Sequence, residues 1–179
     1  MSLTLATLIP GLLLLALGLP LLLASASFGA MLKGFPRSSG AAGVCFGAGS
    51  AWFLYNIWNL SSADFGDYRT ELFVGFLVIA ALAFKCAPDF LAVRGACVIV
   101  LLGAMPLLDS AYMQYDIPQR LFMVGIVYVF IVLALWLGAQ PYRLRDFIEW
   151  LFARPGRSRG FGALVTAYGL LLCGVSLSY

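Results

Sequence analysis

Apolar residues in this chain run in stretches of about twenty, and nearly every charge falls between those stretches. Leu12 to Leu15 and Val98 to Leu102 are unbroken apolar runs. A helix that crosses a bilayer core about 30 Å thick needs about 20 such residues. A lipid-facing β-barrel would instead show short segments of alternating hydrophobicity. The chain is 63% hydrophobic and 11% charged, with a mean hydropathy of +0.98. A soluble domain of 179 residues has no interior large enough for that much apolar surface. The fold class that follows is an all-α integral membrane protein, a bundle of about six transmembrane helices forming a single domain over 1–179.

The spans predicted from hydrophobicity cover about 3–27, 40–60, 71–84, 91–112, 121–140 and 162–177. The third and sixth are short. The first opens within Met1 to Pro10, a stretch with no positively charged side chain, so Ala24-Ser25-Ala26 is read as part of a span and not as a signal-peptide cleavage site.

Loops one, three and five hold nine of the eleven basic residues: Lys33, Arg37, Lys85, Arg94, Arg143, Arg145, Arg154, Arg157 and Arg159. Loops two and four hold Arg69 and Arg120 among Asp64, Asp67, Glu71, Asp109 and Asp116. Basic loops stay in the cytoplasm. The odd loops are therefore expected inside, both termini extracytoplasmic, and the protein multi-pass in a bacterial inner membrane. Trp52, Tyr55, Trp58, Tyr112 and Tyr115 fall at the expected outer boundary, and Trp136, Tyr142 and Trp150 at the inner one.

Three patterns within and between the spans concern packing. Gly43, Gly47 and Ala51 recur every four residues in span two, the spacing that lets membrane helices approach at backbone distance. Span two is therefore expected at the centre of the bundle, and span one, ringed by leucine, at its outside or against a partner. Pro10, Pro20 and Pro106 are expected to kink spans one and four. In loop five, Leu144, Phe147, Ile148, Leu151 and Phe152 follow a helical period, with Arg143, Asp146 and Glu149 opposite. This predicts an amphipathic helix over about 142–153 in the cytoplasmic interface, stopped by Pro155-Gly156, whose mixed charge suits docking of a partner.

Chemistry is sparse. The chain has no histidine, which excludes histidine-ligated haem and zinc and every His-based nucleophilic pair. It has no Walker loop, dinucleotide fingerprint or Gly-x-Ser-x-Gly elbow. Cys45, Cys86, Cys97 and Cys173 form no Cys-x-x-Cys and read as small apolar side chains. Asn56, Asn59, Asp109 and Arg120 form a candidate polar layer near the outer surface, with Asp109 placed to pair with Arg120. No metal site and no catalytic residue is expected, and no cofactor is indicated. The function expected is that of a non-catalytic subunit of a larger membrane complex, in contact with lipids and other transmembrane subunits and not with nucleic acid. A small solute or ion transporter or channel is the alternative.

Overall fold

A computed structural model describes the backbone of residues 1–179 and every side chain except that of Ser62. Eight α-helices follow in order: α1 Leu3–Leu22, α2 Ala26–Gly34, α3 Ser39–Trp58, α4 Arg69–Cys86, α5 Leu91–Ala111, α6 Arg120–Ala139, α7 Tyr142–Phe152 and α8 Pro155–Ser176. Short 3-10 turns occupy Phe35–Arg37, Ser62–Asp64 and Gly66–Tyr68. The described residues contain no strand. Four of the helices, α1, α5, α6 and α8, are long and apolar enough to cross a membrane. That number is smaller than the expected six. Polar Ser50 and Asn56 and several glycines dilute α3, and α4 carries Arg69, Glu71 and Lys85 within its length.

Several helix ends differ from expectation, each for a local reason. α1 stops at Leu22, short of Ser27. Ala24 adopts a left-handed backbone with φ 51°, and the Ser25 N–H donates to the Pro20 carbonyl at 3.0 Å. That six-to-one bond closes a Schellman turn, which ends a helix by satisfying its last carbonyls. Ser25 Oγ then accepts the Phe28 N–H at 3.4 Å, opening α2 inside what was expected to be a loop. At the other end of the chain, α8 begins at Pro155 and not near Gly162. Proline fits the first helical position, where its missing N–H is not needed. The basic segment Arg157 to Gly160 is thus the first part of a helix. The prolines inside α1 and α5 interrupt neither helix.

The chain divides into two compact units. The first comprises 1–33, 103–133 and 145–179, and the second 34–102 and 134–144. In the first, α1 and α8 run antiparallel in close contact. A methyl group added to Gly11 would meet Leu172 and Cys173; one on Gly18 would meet Thr166; one on Gly162 would meet the backbone of Leu21 and Leu22. The glycines are spaced by seven on both helices, Gly11 with Gly18 and Gly162 with Gly169, the period of a left-handed helix pair. Leu3, Ala6 and Leu14 of α1, Met123 and Val127 of α6, and Leu172 of α8 form the core of this unit. Span one, expected at the periphery, buries Thr7, Pro10, Gly11, Leu14, Gly18 and Leu21. Its leucines cover the remaining surface, and its glycines make the groove.

In the second unit α3 meets α5 where Gly95 approaches the backbone of Cys45 and Phe46 so closely that no Cβ fits. A Cβ on Gly49 would lie 3.2 Å from the Gly95 carbonyl oxygen. α4 packs on α3 through three edge-to-face aromatic pairs, Phe46–Phe84, Phe53–Phe76 and Trp58–Phe73, with ring centroids 5.0–5.4 Å apart. Val93, Cys97 and Ala134 form a buried cluster beside Leu144.

Candidate functional site

The small-residue stripe of α3 does not make the contacts within its unit that its spacing predicts. Gly43 and Ala51 are exposed, and a Cβ placed on Gly43 or Gly47 meets nothing within 4 Å. The glycine of α3 that carries the α5 contact is Gly49, one helix face away. Spacing alone identifies a row of small residues but not what lies opposite it.

The expected polar layer also resolves differently. Asn56 is exposed, and Asn59 closes α3 by donating from its side-chain amide to the Tyr55 carbonyl at 2.7 Å. Both belong to the second unit. Asp109 and Arg120 belong to the first, and they do not pair. The Arg120 guanidinium donates to the Ala111 carbonyl at the end of α5 and lies 4.9 Å from the Tyr115 ring centroid. A cation at a helix C-terminus satisfies an open carbonyl and the helix dipole together. Asp109 remains exposed, at the edge of a shallow cavity with Tyr112, Tyr115 and Tyr128.

The residues singled out on α7 are divided. Ile148 and Leu151 are buried, and Leu144 is half-buried against the second unit's core. Phe152 turns back onto α2, where the absence of a side chain at Gly29 leaves room for its ring. Phe147 stacks on Trp150 at 6.0 Å and meets Phe161 of α8 edge-on at 5.4 Å. Arg157 lies over the Trp150 ring at 4.7 Å and donates to the Trp150 carbonyl at 3.2 Å. Much of the face read as a docking surface is therefore occupied by this chain.

What α7 leaves accessible is charged. Arg145 bonds Asp146 at 2.8 Å and lies 3.9 Å from Glu149. The hydrogen bond to Asp146, and then its charge, hold the Arg145 guanidinium even more firmly protonated than usual. Between α7 and α2 lies a cavity of about 240 Å³, lined by Lys33, Arg145, Ile148, Glu149, Phe152 and Ala153. Lys33 and Glu149 were read from the sequence only as an orientation charge and a polar-face residue. The available signal was Gly29, a single residue without a side chain opposite Phe152.

A second cavity, of about 190 Å³, opens at mid-helix between α3 and α4. Phe46, Phe53, Leu54, Phe76 and Ile79 line it, and Ser50 supplies its hydroxyl. Among the described residues no group of three acidic, cysteine or histidine side chains is arranged to hold a metal ion. Compared with protein-family models, with curated proteins and with solved structures, the chain matches none.

Proposed function

We propose that this chain is a non-catalytic, multi-pass subunit of a larger membrane complex. The observation that carries the reading is the uncovered face of α3. A Cβ on Gly43 or Gly47 meets nothing within 4 Å, Ala51 is exposed, and α4 beside them buries no residue. Rows of small residues are what membrane helices use to approach other helices, because lipid tails provide no hydrophobic drive between spans. A transmembrane helix of another subunit is the occupant that suits this row. The charge distribution supports six spans, α3 and α4 in addition to the four more apolar helices, and both termini extracytoplasmic in a bacterial inner membrane. In that arrangement α7 is an amphipathic helix in the cytoplasmic interface, with Trp150 at headgroup depth.

A solute transporter is the second reading, for which α1 and α5 supply internal prolines but no helix break. The mid-helix cavity of the second unit speaks against it for polar solutes, since Ser50 is the one side chain there able to hydrogen-bond. Extraction in mild detergent followed by native mass measurement separates the two. A mass exceeding the 19.3 kDa chain by a distinct protein supports the subunit reading. A monomer that alone moves a solute across reconstituted vesicles replaces it with the transporter.

A further inference from the structure

We propose that the groove between α2 and α7 holds the head group of an ethanolamine phospholipid, its phosphate on Lys33 and its ammonium on Glu149. This takes α7 to lie at a membrane surface, as in the functional reading above, but needs no partner subunit.

The groove presents one available charge of each sign. Lys33 makes no ion pair among the described residues; its ammonium stands 5.6 Å from the centroid of the Phe152 ring. Arg145 is committed to Asp146 by two hydrogen bonds, at 2.8 and 3.1 Å. Glu149 forms a long ion pair with Arg145 at 3.9 Å, beyond hydrogen-bonding distance, and is 67% exposed, so its oxygens have room to accept a donor. Both charges line the same cavity. Glu149 and Phe152 are three residues apart on α7, a rise of about 4.5 Å, and Lys33 stands over Phe152. A phosphate and an ammonium joined by a two-carbon link offer one group to each charge in such a groove. Ile148, Phe152 and Ala153 supply an apolar floor on which the glycerol end can rest.

The chemistry also separates this head group from its relatives. A phosphocholine carries three methyl groups on nitrogen and has no N–H to donate to Glu149. A phosphoglycerol has the phosphate but no cation, and leaves Glu149 facing a net negative ligand. Lys33 with Glu149 is neutral as a pair, which matches a zwitterion.

The test uses the intact chain in maltoside micelles, with dioleoyl phosphatidylethanolamine, phosphatidylcholine or phosphatidylglycerol added in turn and bound lipid counted by native mass spectrometry. The wild type is expected to retain the ethanolamine lipid about tenfold over either competitor, the effect of one charge-assisted contact. Glu149→Gln removes that preference and leaves phosphatidylglycerol retention intact or raised. Lys33→Gln weakens retention of all three. Arg143→Gln, exposed and outside the groove, changes nothing. Both groove residues are at the surface, so neither variant threatens the fold. Equal retention of the three lipids by the wild type, a preference for phosphatidylglycerol, or indifference to Glu149→Gln would each overturn the assignment. Isolated-chain retention is independent of any partner, so a failed subunit search leaves this result standing.

Discussion

Gly18 and Gly47 are both mid-helix glycines, yet a methyl group added to each meets opposite surroundings. At Gly18 it would lie 2.5 Å from the Thr166 hydroxyl and 2.7 Å from the Thr166 backbone nitrogen. The Thr166 hydroxyl is buried with no hydrogen-bond partner among the described residues. Gly18→Ala is expected to destabilise the chain by about 1–3 kcal/mol through overpacking. Thr166→Ala does not rescue it, because the clash also involves backbone. Gly47→Ala is expected to stabilise the chain alone by about 0.5–1 kcal/mol, the ordinary advantage of alanine in a helix. Thermal unfolding of both variants in one detergent reads the difference, and equal effects would refute the contact assignment. Ala24 gives a third case. It holds φ 51° in the turn that ends α1, a conformation that strains any residue with a Cβ. Ala24→Gly should raise the unfolding midpoint, by about 0.5 kcal/mol of stability after the added freedom of the unfolded chain is subtracted.

At the scale of elements, α7 is held from two directions and has a defined depth as a consequence. Phe152 engages α2, Arg157 ties its C-terminal end to α8, and Ile148 and Leu151 are buried between. Trp150 is left half-exposed with a cation over its face. On the interfacial reading, a protein retaining Trp150 as its only tryptophan should be quenched most strongly by lipids brominated near the head group. Strongest quenching by lipids brominated near the chain ends would place α7 inside the bilayer and refute that reading. Leu151→Asp should melt this helix, since Leu151 is 2% exposed and an unpaired carboxylate there has no partner. The readout is loss of helical circular dichroism with increased protease sensitivity near Arg154.

For the whole molecule the testable quantity is topology. Ser158, although it falls in the basic segment, is a poor reporter, being 2% exposed with its hydroxyl donated to the Pro155 carbonyl. Gly156 and Gln114 are exposed and lie on opposite sides in the proposed arrangement. In a variant lacking the native cysteines, an impermeant thiol reagent should label Gln114→Cys in spheroplasts and reach Gly156→Cys only after lysis. The reverse pattern inverts the protein.

Hydrophobicity and charge made the class legible before any coordinates. Burying this much apolar surface requires lipid, and runs such as Val98 to Leu102 leave helices as the way to satisfy their backbone. The sequence also marks its helix punctuation, once Ser25 is read as a cap and Pro155 as a first helical residue. It did not determine which small residues face a neighbour. Gly43 and Gly47 have the expected spacing and no contact within their unit, while Gly11, Gly18, Gly162 and Gly169 are hidden among leucines and carry the α1–α8 pair. Nor did it say that Arg120 would cap α5 and leave Asp109 free, or that Phe152 would fold onto Gly29 and leave a charged groove beside it. The reason is physical. Hydrophobicity and helix capping are set within a few residues of chain, so one sequence read locally contains them. Which face of a helix meets which depends on the shape of a second element far away in sequence, and the tertiary structure alone brings the two together.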